Sequence, residues 1–206
     1  MLVAALGLGA DLWSKAYAWD RLVEDVEVVP QTGTVMVFRN NLAPPGEEPV
    51  YDVVVIPRVL EFTAVANLGA AMGLGQGRKT LFILVSVAAV GVLFYFFAFS
   101  ERRRLYQFVL GLLLAGVLGN LYDRLVHGYV RDMIHIFPGV RWSQFHGSLP
   151  DAEVFPWVFN LADVFLCIGV PAVLLYGLFA GPSDPAGEHE PERDASADGA
   201  ARPDQP

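Results

Sequence analysis

The chain has 206 residues, of which 54% are hydrophobic and only 17% are charged. This composition is typical of a membrane protein and excludes an ordinary soluble domain. The net charge is −8 at pH 7, and the single cysteine, Cys167, excludes an internal disulfide framework or a cysteine-rich metal site.

Four apolar stretches predict transmembrane helices, so the expected fold class is a mainly α membrane protein. They cover residues 1–19, 80–100, 105–125 and 155–181. A helix needs about 20 apolar residues to cross a bilayer, so the last three are long enough, whereas Asp11 and Lys15 interrupt the first. A cleaved signal peptide is the alternative for the first stretch, although no basic segment precedes it.

Between the first two helices, residues 20–79 predict a small folded unit. β-branched residues cluster in three runs, "VEVV", "TVMVF" and "VYDVVVIPRVLEFTAVAN", which is typical of strands. We expect a small extracytoplasmic β-cradle on the outer membrane surface, with a flexible loop as the alternative. The connection ends in small residues, including Gly69 and Ala70, which allow a backbone or a ligand to approach closely.

The connection between the second and third helices predicts the orientation of the chain. It contains Arg102, Arg103 and Arg104, and clustered positive charge marks cytoplasmic loops. Both termini are therefore expected to be cytoplasmic, and the long connections 20–79 and 126–155 are expected to face outward.

An acidic tail follows the membrane domain, which we assign to residues 1–181. Residues 182–206 contain seven acidic residues against two arginines and no large apolar residue. This composition predicts a disordered cytoplasmic tail. Because the tail supplies much of the negative charge, the acidic balance of the chain says little about its partner.

Polar residues of the predicted helices gather toward the outer membrane face. Asp11 and Lys15 lie in the first helix, and Asn120, Asp123 and Arg124 lie at the outer end of the third. Spacings of three or four residues place them on shared helix faces. One explanation is structural, because ion pairs and hydrogen bonds between helices would satisfy these groups.

Asp163 is a stronger functional candidate. We place it roughly 10 Å along the fourth helix from Pro156, at about 1.5 Å per residue, with apolar neighbours on both sides. A charged group in hydrocarbon costs a few kcal/mol and is usually paired or functional. Asp132, in the second outer connection, is the available partner, and two aspartates that share one proton can direct water at a peptide carbonyl.

The four histidines offer no alternative chemistry. None has the spacing of a metal motif, and all are expected in loops or in the tail: His127, His135, His146 and His189. The sequence therefore predicts neither a metal nor a cofactor.

Four stretches of the chain together resemble a known family. They are "DLWSK" at 11–15, "NLGAAMG" at 67–73, "GNLYDRLVHGYVRDMI" at 119–134 and "FNLADVFLCIG" at 159–169. In this order they resemble lipoprotein signal peptidase, also called signal peptidase II, a bacterial membrane aspartyl peptidase. The resemblance implies four transmembrane helices, a periplasmic β-cradle, an inner-membrane location, and cleavage of a signal peptide just before a diacylglyceryl-modified cysteine.

The resemblance also implies roles for individual residues. The catalytic aspartates of the family fall here on Asp132 and Asp163. The positions that line its site fall on Asn67, Asn120, Arg124 and Asn160, and a pair in its first helix falls on Asp11 and Lys15. We expect the small residues Gly69 and Ala70 to line the site as well, and Asp123 to support it.

The implied partners are a diacylglyceryl-prolipoprotein substrate and membrane lipid, without nucleic acid, and the enzyme is expected to be a monomer. The chain departs from the family pattern at Met72 and Met133, where an aromatic is usual, and at Arg131, where a small apolar residue is common. Residues 40–52 and 142–156 are predicted to be insertions, so the substrate entrance is expected to differ in shape.

A small proton-coupled transporter or an assembly factor is the alternative class. In it, Asp132 and Asp163 would relay protons or bind a cation. That class explains buried carboxylates but does not explain their gathering at one membrane face, because a pathway across the membrane needs polar groups at inner depths of the helices.

Overall fold

The computed structural model describes residues 1–29, 34–69, 78–99 and 104–179. Within these ranges the chain forms four helices: α1 (Leu2–Leu22), α2 (Lys79–Phe99), α3 (Arg104–Val126) and α4 (Leu161–Phe179). It also forms six strands: β1 (Val23–Val29), β2 (Thr34–Arg39), β3 (Val53–Ile56), β4 (Leu60–Asn67), β5 (Val130–Ile136) and β6 (Val158–Phe159). Ala70, Met72, Arg102, Arg103 and the tail lie outside the described residues, so what was expected of them stays a prediction.

All four segments that were predicted to be helical contain a helix, and the crossing of the membrane by all four stays a prediction. Among the described residues, α2, α3 and α4 are long and apolar enough to cross a membrane. Helix α1 has 21 residues, which is the necessary length, but it is less apolar because it carries Asp11 and Lys15.

Helix α3 lies at the centre of the bundle and packs against α1 and α4 through small residues. Gly7 of α1 lies so close to α3 that an added Cβ would be 2.9 Å from the Ala115 side chain. Gly116 lies equally close to α4, since an added Cβ would be 2.7 Å from the Ala162 carbonyl oxygen. Such contacts let the helix backbones approach, as is usual for helices packed in a membrane.

Two antiparallel sheets lie at the end of the bundle where α1 and α3 end and α4 begins. One consists of β1 and β2, and the other has the strand order β3-β4-β5-β6. A small core formed by Ala18, Leu22, Ala64 and Met133 joins the C-terminal end of α1 to the larger sheet. The prediction of strands within residues 20–79 is confirmed, and the alternative of a flexible loop is wrong for the described part of this connection.

Helix α4 begins later than predicted. The apolar stretch from residue 155 was expected to be helical throughout, but Val158 and Phe159 pair with His135 and Ile134 as strand β6. Asp163 therefore lies in the first turn of α4 rather than further along it. The expectation that His135 lies in a loop is also wrong, because it is part of β5.

Candidate active site

The side chains of Asn160 and Asp163 cap the start of α4 reciprocally. Asn160 Oδ1 accepts a hydrogen bond from the Asp163 backbone N–H at 3.1 Å, and Asp163 Oδ2 accepts one from the Asn160 N–H at 3.2 Å. This is a capping box, which satisfies two backbone donors at a helix start. The carboxylate of Asp163 is thereby held at the positive end of the α4 dipole, where negative charge is stabilised.

Asp132 lies in the centre of β5, with only 1% of its surface exposed. Its Oδ2 accepts a hydrogen bond from Asn67 Nδ2 at 2.9 Å, and its Oδ1 accepts one from Asn160 Nδ2 at 2.6 Å. Burial raises the pKa of Asp132 to about 7, and the nearby Asp163 carboxylate adds to the rise against these two amide donors. Asp132 is thus a carboxyl group that can hold a proton near neutral pH.

The Asn120 amide connects this pair to α1. Asn120 Oδ1 accepts hydrogen bonds from Lys15 Nζ at 3.0 Å and from Asn160 Nδ2 at 3.2 Å. Because two donors face its oxygen, the nitrogen of the same amide is oriented toward Asp163 Oδ1, at 2.8 Å. The orientation of Asn120 is therefore set by its neighbours.

A buried cluster of four charged side chains lies behind the two aspartates. Lys15 Nζ is 2.8 Å from Asp11 Oδ2 and 3.4 Å from Asp123 Oδ2. Arg131 binds Asp123 Oδ1 through Nη2 at 2.7 Å and Nε at 3.1 Å. Two acids and two bases balance one another here, as buried charges require.

Sequence reasoning placed three members of this cluster but missed Arg131. The residue had been identified only as a departure from the family pattern. Its contact with Asp123 depends on the turn at Gly128, whose φ of +88° is a left-handed conformation that favours glycine. That turn ends α3 and leads into β5, bringing residues eight positions apart face to face.

Arg124 ties α3 to the segment that follows β4. Its Nη2 donates to the Gly69 carbonyl at 2.7 Å and its Nη1 donates to the Asn120 carbonyl at 3.2 Å. Its guanidinium also lies 5.3 Å from the centre of the Phe82 ring of α2. The Gly69 N–H donates to Asn67 Oδ1 at 2.9 Å. Gly69 is therefore hydrogen-bonded to both Asn67 and Arg124, two of the residues that were predicted to line the site.

A cavity of about 260 Å³ opens beside the two aspartates. Asn67, Asp132 and Asp163 contribute its polar groups, and its remaining lining is apolar: Phe155, Trp157, Val158, Phe159, Val164, Cys167 and Ile168. A further cavity of about 220 Å³ between α2 and α3 also reaches Asn67 and Asp163. Sequence reasoning missed the role of these aromatic residues in the first cavity, although Phe155 and Trp157 stand directly before the "FNLAD" stretch and Phe159 begins it.

The arrangement suits acid–base chemistry on an apolar ligand. Two carboxyl groups face one cavity, one at a helix start that stabilises its negative charge and one in a buried strand position that favours its proton. Within the ranges that the structure describes, no group of three or more His, Cys, Asp or Glu side chains is placed to hold a metal ion.

Comparison with known proteins gives one family. A family model described as signal peptidase II matches residues 3–179. The lipoprotein signal peptidase of Lactobacillus johnsonii is 34% identical over 131 residues, which are 63% of this chain and 75% of the relative. That of Caldanaerobacter subterraneus is 33% identical over 144 residues, covering 70% of this chain and 88% of the relative.

Solved structures agree with this result. Two that are described as bacterial membrane enzymes superpose on the chain with TM-scores of 0.60 and 0.56, at 26% and 27% identity. The first match covers 90% of this chain and 92% of the other.

Proposed function

The chain belongs to the signal peptidase II family, and we propose that Asp132 and Asp163 are the catalytic pair with which it removes the signal peptide of diacylglyceryl-modified prolipoproteins. Membership rests on the family match across residues 3–179. The protein is accordingly a peptidase of the bacterial inner membrane that processes lipoproteins.

The two aspartates have different roles in this proposal. Asp163, at the start of α4, is the ionised base that takes a proton from the attacking water. Asp132 carries the shared proton and donates a hydrogen bond to the scissile carbonyl, which increases the positive character of its carbon. The observation that carries this assignment is the position of Asn160, whose backbone N–H contacts Asp163 and whose side chain contacts Asp132.

Asn67, Asn120 and Asn160 orient the two carboxyl groups in this reaction. Asp11, Lys15 and Asp123 support them by fixing α1 against α3, and Arg124 holds Gly69 beside the site. Ala70, which follows Gly69 in the chain, is proposed to line the same face.

For the membrane topology we propose the orientation that Arg102, Arg103 and Arg104 predict. All four helices cross the bilayer, both termini are cytoplasmic, and the sheets form a cradle on the periplasmic face. The catalytic pair then lies near the outer edge of the hydrocarbon layer. A lipid chain on the substrate contributes about 0.8 kcal/mol per buried methylene, so much of the binding energy would come from the diacylglyceryl group.

Proton transport, the alternative function, is disfavoured by the distribution of charge. Among the described residues, the cytoplasmic half of each helix runs from its cytoplasmic end to the level of Asp11. Within that half, no helix carries an acidic or basic side chain except at its end residue. A carboxylate relay that ends halfway gives no path across the membrane.

The test is cleavage of a diacylglyceryl-modified model prolipoprotein by the purified protein in liposomes. Mass spectrometry should find a product that begins at the lipidated cysteine, and the unmodified precursor should be cleaved far more slowly in the same vesicles. Absence of cleavage, together with a proton flux that Asp163→Asn removes, would replace peptidase activity by transport.

A further inference from the structure

His135 lies on the face of the larger sheet beside Glu61, its cross-strand partner in β4. Its Nδ1 is 2.7 Å from Glu61 Oε1, and its Nε2 is 3.2 Å from the backbone carbonyl oxygen of Phe155. Glu153 Oε2 lies 3.9 Å from the same Nε2. Only 12% of the His135 side chain is exposed, so these contacts take place largely away from water.

The partners of His135 fix the position of its ring. Glu61 Oε1 and the Phe155 carbonyl oxygen, both hydrogen-bond acceptors, lie at its two ring nitrogens and so hold the imidazole from both sides. Glu61 from β4 and Glu153 from the segment before β6 supply the negative charge that faces it, and the one base lining the neighbouring cavity, Arg58, donates to Gln144 at 2.5 Å.

The bond from His135 to Phe155 reaches the active site. The Phe155 ring lies edge-on to Trp157, with ring centres 5.2 Å apart, and edge-on to Phe159, with centres 5.9 Å apart. We call Phe155, Trp157 and Phe159 the aromatic wall, and all three line the cavity that holds Asp132 and Asp163. The backbone of the aromatic wall is joined to the larger sheet by the pairing of β6 and, ahead of β6, by the contact between the Phe155 carbonyl and His135.

We propose that His135 is a positioning residue for substrate binding: held against Glu61 on one side, it anchors the aromatic wall through the Phe155 carbonyl on the other and so sets the affinity of the cavity for the apolar signal peptide. This inference rests on the proposed function. It assigns a role to a residue that contacts neither catalytic aspartate and acts through Phe155.

Three variants in liposomes carrying the diacylglyceryl-modified model prolipoprotein test the proposal. His135→Ala removes the anchor and should raise KM about tenfold, the effect of losing one hydrogen bond, while kcat stays within about twofold. His146→Ala is the matched control, because His146 is exposed in the same connection and binds Ser148 instead. Its KM and kcat should equal those of the wild type.

Glu61→Gln distinguishes anchoring of the ring from a general loss of stability. The amide oxygen still accepts a hydrogen bond from Nδ1, so the ring keeps its position although the ion pair with Glu61 is lost. KM and kcat of Glu61→Gln should therefore both stay within about twofold of the wild type, whereas an effect that came only from lost stability would raise KM in this variant as well.

A wild-type KM for His135→Ala, or a KM for Glu61→Gln as high as that of His135→Ala, would overturn the proposal. So would a fall in kcat at unchanged KM. If His135→Ala does not fold, His135→Leu takes its place, because leucine fills the space without a hydrogen-bond donor, and its KM should rise about tenfold; a wild-type KM for it would overturn the proposal. Failure of the wild type to cleave the lipidated substrate is a separate result, which would remove the proposed function itself.

Discussion

Lys15 of α1 and Asp163 of α4 bond to opposite ends of one amide group, the side chain of Asn120. The ammonium faces the oxygen and the carboxylate faces the nitrogen, so a charge in the first helix orients a donor toward the proposed base. Asn120→Ala should remove this orientation and lower kcat by about 5- to 150-fold, corresponding to about 1–3 kcal/mol. Steady-state cleavage measures the change, and an unfolding midpoint near that of the wild type separates it from loss of structure. Unchanged kcat would mean that Asp163 needs no such donor.

The catalytic assignment predicts that Asp132→Asn and Asp163→Asn each abolish cleavage while the protein still inserts into the membrane. An amide can neither take the proton of water nor share one with its partner. Since the two groups act as one unit, the double variant should be scarcely less active than either single variant. Asp151→Asn is the control, because Asp151 is an exposed residue that pairs with Arg141. Near-normal turnover by either site variant would remove that residue from the pair.

The raised pKa of Asp132 predicts an alkaline limit to activity. In the proposed mechanism this proton is needed for the scissile carbonyl, so kcat should fall as the pH rises through about 7. The unfolded chain loses this proton near pH 4, so the native state holds the extra proton between about pH 4 and pH 7, and stability falls across that window.

Asn67→Ala should move the alkaline limit. The Asn67 amide donates to Asp132 and lowers its pKa, so its removal should shift the fall in kcat to higher pH. A pH profile of kcat for both proteins measures the shift. A limit that moves to lower pH would show that Asp132 is not the protonated member.

The balance of the buried charge cluster predicts how substitutions combine. Arg131→Leu leaves one excess negative charge and Asp123→Asn leaves one excess positive charge, and each should destabilise by about 3–5 kcal/mol. The double variant keeps the Asp11–Lys15 pair neutral and should be less destabilised than the sum of the two. Denaturant unfolding in detergent gives all three values, and Arg141→Leu, at an exposed ion pair, should leave the unfolding midpoint close to that of the wild type. Strict additivity would contradict the proposed coupling between Arg131 and Asp123.

The helices and the pair of aspartates could be predicted from the sequence because polar and charged groups are costly in hydrocarbon. A long apolar stretch therefore indicates a membrane helix, and a lone carboxylate among apolar residues, such as Asp163, indicates a functional group. The start of α4 was misplaced because a short apolar strand such as β6 cannot be told from helix by hydrophobicity. The capping role of Asn160 was missed for the same reason.

The partners of Arg131 and His135 were beyond the sequence for a different reason. Each contact joins residues that a turn or a strand pairing brings together, Asp123 across Gly128 in one case and Glu61 across the sheet in the other. No local pattern encodes these distances. The aromatic wall was likewise indistinguishable from the ordinary apolar residues that precede a membrane helix.

The charges of α1 also bear on how the protein is made. An Asp or a Lys at the centre of a helix costs about 2.5–3.5 kcal/mol on membrane insertion, and Asp11 and Lys15 find their other partners on α3 and α4, at Asp123 and at the Ala162 N–H. Because α1 is synthesised before α3 and α4, it lacks these partners until the later helices have been made. We expect α1 to remain loosely inserted in a chain that stops after α2 and to become fully embedded only once α3 and α4 are present, as labelling of a cysteine placed at Ser14 in each would reveal, with Cys167→Ser in the longer chain. Helix α1 would then be made before α3 and α4 but reach its final depth only after them.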